Sequence, residues 1–153
     1  MFIPMLMGIV MMVINLGILV LAVSFLIRLL TNRIGGEPEE PTLFEDVKVL
    51  SLVMAVLMFG HVLQFATWAF LFTWLGEFAD FATAFYHSTV NFTSLGYGDI
   101  VMSEEWRLLG ALEAGNGVLM FGLSTSTILS IMNALFARRK ALAGLKKSLG
   151  KSD

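Results

Sequence analysis

The segment Thr93–Asp99 carries the residues of this chain that are best suited to chemistry, and that chemistry is cation coordination by backbone oxygen. It reads Thr-Ser-Leu-Gly-Tyr-Gly-Asp and lies between two long apolar segments. Gly96 and Gly98 can adopt left-handed backbone angles that other residues avoid. Their alternation with Leu95 and Tyr97 allows successive carbonyl oxygens to point the same way. Several such loops in a ring would form stacked oxygen cages that can replace the hydration shell of a cation.

The predicted cation ligands are backbone carbonyl oxygens, together with one hydroxyl at the inner end of the stack. Such donors are hard and carry no formal charge, which suits a monovalent ion that must bind and then leave. Asp99 lies just outside the predicted cages, where we expect a hydrogen-bonded brace rather than a solvated residue or a lure for cations. The ligands are Ser94, Leu95, Gly96 and Tyr97, with the hydroxyl from Ser94, and Gly98 and Asp99 complete the ion path.

The composition predicts a membrane protein. Of the 153 residues, 57% are hydrophobic and only 14% are charged, against about 25% charged residues in a typical soluble domain. The mean hydropathy is +0.81. The chain has no cysteine, which excludes disulfides and thiolate metal sites. Its net charge of −2 and the lack of a basic nucleic-acid-binding arm give no reason to expect a nucleic-acid partner.

Three segments are long enough to cross a membrane, which requires about 20 apolar residues. They run over residues 2–30, 47–75 and 106–136. The first is too long, and its start too poor in basic residues, for a signal peptide. Thr42-Leu43-Phe44-Glu45 fits a capping box, so the second helix is expected to begin at residue 43. The predicted division is a first helix 1–30, a link 31–42, a region 43–136 and a tail 137–153.

Between the second and third segments lies an apolar stretch that is too short to cross. Residues 80–92, with Asp80 as N-cap, would reach only about half of the hydrocarbon thickness at about 1.5 Å per residue. This pattern predicts a re-entrant half-helix. Backbone loops at membrane depth are tolerated only where protein or water lines them, so residues 93–99 must line a cavity. The expected fold is an all-α membrane protein with helices over 1–30, 43–75, 80–92 and 106–136.

The basic residues predict an outside N-terminus and a cytosolic C-terminus. Arg28, Arg33 and Lys48 flank the link, and a basic tail follows the third segment. The tail also has leucines on one face, so we expect a helix at the membrane surface or in the cytosol that favours anionic lipid. The basic residues of the tail are Arg138, Arg139, Lys140, Lys146, Lys147 and Lys151.

The region 47–136 resembles the potassium-channel pore family, whose filter reads Thr-Val-Gly-Tyr-Gly-Asp. We call Thr93–Asp99 the filter segment. Its last four residues match the family sequence outright. Ser94 and Leu95 stand where the family has threonine and valine. The resemblance implies a homotetramer that conducts K⁺ passively through one filter on the symmetry axis. It implies no cofactor beyond the K⁺ ions and no enzymatic activity, and it does not include the first helix.

The residues around the filter segment depart from the family pattern. Tyr86 and His87 stand where many members have two tryptophans, and Val90 stands where some have a glutamate that braces the aspartate. His87 is expected either to donate to Tyr97 or to pack as a satisfied histidine. Glu113, an acid within a membrane segment, is expected to be buried against the half-helix and to replace the missing brace. The predicted support residues are Thr93, His87 and Glu113.

The third segment contains the residues expected to line the cavity and gate. Residues 117–123 resemble the family's inner-helix glycine region, which makes Gly117 the hinge candidate, although close helix packing accounts for most glycines here. Beyond this region Thr125, Leu129 and Asn133 are spaced by four residues, which places them on one helix face. The predicted cavity and gate residues are Gly117, Thr125, Leu129 and Asn133.

Other functions stay open at this level. Leu95 and the altered filter surroundings would suit a weakly selective monovalent cation channel, and a non-conducting accessory or sensor subunit is a further alternative. Ser124 with a membrane histidine would suit an intramembrane serine protease, but no acid is placed to orient the base. His61 and Gln64 are expected to pack against a neighbouring helix, with a pH sensor as the alternative.

Overall fold

The computed structural model describes residues 2–34 and 42–149, and these form four α-helices and no strand. The helices are α1 (Phe2–Ile34), α2 (Leu43–Trp74), α3 (Phe81–Phe92) and α4 (Arg107–Leu149). Of these, α1, α2 and α4 are long and apolar enough to cross a membrane. The predicted all-α membrane fold is confirmed. Residues 35–41 of the link and residues 150–153 of the tail, with Lys151, lie outside the described residues.

The starts of α2 and α3 follow from their N-cap residues. Thr42 Oγ1 accepts the Glu45 amide proton at 3.3 Å, but the Glu45 carboxylate pairs with Lys48 at 2.7 Å instead of returning to the cap. Asp80 accepts bonds from both the amide and the hydroxyl of Thr83, at 2.9 and 2.8 Å. With 12 residues, α3 is about 18 Å long, which is too short to span a bilayer.

α4 continues beyond the end predicted for the third membrane segment. The prediction ended the membrane helix at residue 136 and placed a separate helix, at the membrane surface or in the cytosol, in the tail after it, whereas one helix runs unbroken from Arg107 to Leu149. Alanine, leucine, arginine and lysine dominate residues 137–149, and all four have high helix propensity. The local sequence therefore gives no reason to stop at residue 136. Arg139 in this extension forms an ion pair with Asp46 near the start of α2, with 2.7 Å between Nη2 and Oδ2.

α1 is packed into the bundle, where it contacts both α2 and α4. Its approach to α4 is close at Gly8, where a Cβ atom would lie 2.4 Å from Leu112 Cδ1. Gly8 and Leu112 both lie near the starts of their helices, so the starts of α1 and α4 lie close together. The buried residues of α1 recur at three- and four-residue spacings that define one helix face. They include Pro4, Gly8, Met11, Asn15, Leu19, Leu26 and Leu30.

Buried aromatic rings hold α3 between α2 and α4. Phe92, the last residue of α3, is fully buried. Its ring centroid lies 5.0 Å from that of Phe65 on α2 and 5.8 Å from that of Phe121 on α4. Both pairs have the edge-to-face geometry that aromatic side chains prefer. These contacts fix the C-terminal end of α3 and therefore the start of the filter segment.

Candidate functional site

The filter segment leaves α3 through a tight turn that binds the last carbonyl groups of the helix. The Ser94 amide donates to the Asn91 carbonyl oxygen at 2.9 Å. The Leu95 and Gly96 amides both donate to the Val90 carbonyl oxygen, at 3.0 and 3.4 Å. These bonds satisfy helix-end carbonyls that otherwise lack partners. They also direct the first amide groups of the segment toward α3.

Positive and negative φ angles alternate along the filter segment. φ is 58° at Ser94, 57° at Gly96 and 74° at Gly98, whereas Leu95 and Tyr97 have negative φ. The predicted left-handed conformation of Gly96 and Gly98 is confirmed. The sequence did not predict it for Ser94, because residues with a Cβ atom rarely adopt positive φ. Ser94, Gly96 and Gly98 are therefore the left-handed positions of the segment.

Four carbonyl oxygens of the filter segment accept no hydrogen bond from the described part of the chain. Among the described residues, no hydrogen bond ends on the carbonyl oxygens of Ser94, Leu95, Gly96 or Tyr97. The side chains of Leu95 and Tyr97 are 54% and 66% exposed in the single chain. At membrane depth, exposed backbone needs protein or water around it. The segment is therefore free to bind a ligand and to be covered by other chains.

Hydrogen bonds fix both ends of the filter segment. Next to α3, the Thr93 hydroxyl donates to the Thr89 carbonyl oxygen at 2.8 Å. At the far end, the Tyr86 hydroxyl donates to Asp99 Oδ2 at 2.7 Å. This bond holds the pKa of the Asp99 carboxyl below its usual range, because it stabilises the charged form. Asp99 is thus hydrogen-bonded, as expected, through a partner that the sequence did not identify.

His87 binds the backbone just beyond the filter segment. Its ring centroid lies 5.7 Å from that of Phe72 and 4.8 Å from that of Phe78. Nδ1 is 3.2 Å from the Ile100 carbonyl oxygen, and since a carbonyl oxygen only accepts, Nδ1 carries the proton. Among the described residues, the suggested bond from His87 to Tyr97 is not present, because packing against the two phenylalanines turns Nδ1 toward Ile100.

Glu113 joins α4 to α3 behind the filter segment. The residue is fully buried. Asn91 Nδ2 donates to Glu113 Oε2 at 2.8 Å and to the Gly110 carbonyl oxygen at 2.7 Å, and Ser88 Oγ is hydrogen-bonded to Glu113 Oε1. The predicted burial against the half-helix is confirmed. The predicted bracing is not observed, because the hydrogen bonds of Glu113 go to α3 and not to Asp99.

Ser88, Asn91 and Tyr86 are the site residues that sequence analysis missed as partners. Ser88 and Asn91 lie three positions apart in the short apolar helix, a spacing that places both on one face. This polar face is a sequence signal for a buried partner, and Glu113 is the acid available to it. No comparable signal pairs Tyr86 with Asp99, because their distance depends on the path of the filter segment.

The predicted cavity and gate residues lie along α4. A Cβ atom at Gly117 would lie 1.8 Å from the Phe92 carbonyl oxygen, so close packing against α3 accounts for this glycine. Its role as a hinge stays a prediction. Further along, Thr125, Leu129 and Asn133 are all exposed in the single chain. Their spacing of four brings them onto one open face of α4.

In a comparison with protein families, residues 49–134 match a family model described as ion channel. Comparisons with curated proteins and with solved structures gave no match. The matched range begins inside α2 and ends inside α4, so it contains α3, the filter segment and Glu113 and leaves out α1. The chain, a multi-pass membrane protein, therefore belongs to the family of two-transmembrane ion channels and carries an additional N-terminal helix.

Proposed function

We propose that four copies of this chain form a K⁺-selective channel, with the filter segments of the four copies around one axis. The observation that carries this proposal is the backbone of residues 94–98. Its φ angles alternate in sign, and its carbonyl oxygens have no partner among the described residues. The carbonyl oxygens of Ser94, Leu95, Gly96 and Tyr97, with the Ser94 hydroxyl, would bind K⁺ in place of water. No cofactor is needed, since ions move down their own gradient.

The exposure of the filter segment supports an assembly of identical chains. One loop cannot encircle an ion, and closed rings of identical subunits are cyclic. The large exposed side chains of Leu95 and Tyr97 would be covered by the neighbouring copies. The open face of α4 with Thr125, Leu129 and Asn133 would then face the central cavity, where polar groups meet water rather than lipid.

The surroundings of the filter segment support its role as a fixed binding site. The C-terminal end of α3 carries a partial negative charge of about half a unit and leads directly into the segment, which would favour a cation there. Glu113 ties α3 to α4, and Tyr86 holds Asp99. A site built in this way keeps its geometry when the ion leaves.

A weakly selective monovalent cation channel is the second candidate. The observation in its favour is that the bond from Tyr86 to Asp99 joins two exposed side chains. Water would compete for such a bond, and a filter segment with a less firmly held far end would discriminate less between ions of different size.

Ion flux from purified protein tests both candidates and the assembly together. In liposomes with outward gradients, we expect flux of K⁺ and Rb⁺ to exceed that of Na⁺ and Li⁺, and native mass spectrometry of the solubilised protein to show a tetramer. Equal flux of all four ions would favour the weakly selective channel. A monomer or dimer that still conducts would contradict the ring of four, and a tetramer without flux would favour an accessory subunit.

We further propose that the N-terminus lies outside the cell membrane and that the basic tail lies in the cytosol, beside anionic lipid. Cysteines introduced as Phe2→Cys and Ser152→Cys are then expected to react with a membrane-impermeant maleimide from opposite sides of the membrane. The chain has no native cysteine that would interfere. Labelling of both positions from one side would contradict the arrangement of three membrane-spanning helices.

A further inference from the structure

A buried chain of hydrogen bonds connects α1 to α4 through α2. Gln64 Nε2 donates to the Asn15 carbonyl oxygen at 2.8 Å. Gln64 Oε1 lies 2.8 Å from His61 Nδ1, and His61 Nε2 lies 3.1 Å from Ser124 Oγ. All four residues are buried, with exposed fractions of 0 to 5%. We call this set, Asn15, Gln64, His61 and Ser124, the polar chain.

The positions of the protons in the polar chain follow from its α1 end. A backbone carbonyl oxygen can only accept, so the group of Gln64 that faces Asn15 is the NH₂ group. Gln64 therefore presents its oxygen to His61, and Nδ1 must carry the ring proton. Nε2 is then an acceptor, and the Ser124 hydroxyl donates to it. Each of the three hydrogen bonds then has one proton. In each of them the donor lies on the α4 side and the acceptor on the α1 side.

Further contacts hold the residues at both ends of the polar chain in place. On α1, Asn15 Oδ1 also accepts the Thr67 hydroxyl proton at 3.0 Å. Next to α4, the His61 ring centroid lies 4.6 Å from that of Phe121. A displacement of α1 therefore cannot leave Ser124 in place without breaking a buried bond, and an unpaired buried polar group costs about 1–3 kcal/mol.

We propose that α1 controls the position of the inner half of α4 through the polar chain. Ser124 directly precedes Thr125, the first of the residues assigned to the cavity, so the consequence for ion conduction rests on the proposed channel function. In this view the N-terminal helix is a built-in regulator of each subunit. The family model covers residues 49–134 and leaves α1 out. The polar chain would connect this matched region to α1.

The pair of Ser124 and His61 also matches the first two members of a serine hydrolase site. Two features favour a coupling role instead. The third member is the neutral amide of Gln64, which can orient the ring but cannot stabilise an imidazolium as a carboxylate does. Ser124 is only 5% exposed, so a substrate could not reach it.

The coupling is tested by removing one end of the polar chain and observing the other. Ser124→Ala removes the bond to His61 without adding volume, and Ser124 has no bond to α1. We expect this variant to speed hydrogen–deuterium exchange at least threefold in α1 around residues 12–19. Gln64→Met, which removes the bonds to both Asn15 and His61 at nearly constant volume, should do the same in α4 around residues 121–130, because coupling between sites is reciprocal.

Ser130→Ala is the matched control, since among the described residues the Ser130 hydroxyl bonds only to the Ser126 carbonyl oxygen of its own helix. Ser130→Ala should leave hydrogen–deuterium exchange in α1 unchanged, and its single-channel open probability should equal that of the parent within experimental error. Ser124→Ala should change the open probability at least threefold. Exchange that changes only in the mutated helix would overturn the coupling. Coupled exchange with an unchanged open probability would overturn the regulatory role, as would labelling of Ser124 by a fluorophosphonate.

The outcomes of the exchange experiment are independent of the proposed channel function. If the parent protein carries no current in any ion, the channel proposal fails, and the exchange experiment still decides whether α1 and α4 are coupled. If the parent conducts and the exchange effects stay local, the channel proposal stands and the coupling is overturned.

Discussion

Gly117→Ala is expected to lower the stability of the protein and to abolish conduction. The added methyl group would lie 1.8 Å from the Phe92 carbonyl oxygen and 2.8 Å from its carbonyl carbon. Both are backbone atoms, so no side chain can move aside, and α4 must separate from α3. Overpacking of this kind typically costs about 1–3 kcal/mol, and here it would displace the residue that leads into the filter segment. Thermal unfolding in detergent and K⁺ flux measure the two effects.

Gly115→Ala and Gly122→Ala are the matched controls for this prediction. They make the same substitution in the same helix, and apart from the adjacent residues and the helix's own backbone, no atom of the described residues lies within 4 Å of the Cβ position at either glycine. Both should keep the unfolding temperature of the parent. If Gly117→Ala unfolded at the same temperature as the controls while its gating changed, the contact with Phe92 would be unimportant and the hinge interpretation would gain support.

The membrane-spanning architecture could be predicted because it depends on local sequence. Apolar length separates the helices that can cross a bilayer from the shorter α3, and the caps at Thr42 and Asp80 are set within four residues. The left-handed angles at Gly96 and Gly98 are likewise a local property of glycine. The continuity of α4 was the exception, since the prediction separated the membrane helix ending at residue 136 from the basic helix that follows it, whereas the two form one helix.

The contacts of the site could not be predicted to the same extent, because they depend on how separate elements are placed against one another. The burial of Glu113 follows from its position in a membrane segment, but its bonds to Ser88 and Asn91 require the offset between α3 and α4. The bond from Tyr86 to Asp99 requires the path of the filter segment, which in turn depends on the positive φ of Ser94.

α1 shows the same division between local and tertiary information. Its length and hydropathy predict a membrane helix, and Asn15 is the only amide in the run from Phe2 to Val23. A lone polar residue in an apolar span indicates a polar partner. The sequence does not indicate that the partners are Gln64 and Thr67, because two amphipathic patterns can be paired in several registers.

Gly96→Ala is expected to abolish selective K⁺ conduction while the tetramer still assembles. The structure leaves open space around the Cβ position, so the cost comes from the backbone, where φ is 57°. A left-handed residue with a side chain costs roughly 1–2 kcal/mol, and a ring of four identical chains would carry that cost four times around one ion path. The segment is expected to relax by turning a carbonyl away from the axis. Flux of K⁺ and the ratio of K⁺ to Na⁺ permeability measure the result.

Gly76→Ala separates backbone strain from loss of the ion path. Gly76 also has a positive φ of 73° and open space around its Cβ position, but it lies in the loop before α3, so its variant should conduct like the parent. Ser94→Ala keeps a Cβ atom at φ 58° and removes only the hydroxyl ligand, so it should change conductance mildly and keep selectivity. If Gly96→Ala conducted with the selectivity of Gly76→Ala, the filter segment would not be the ion path.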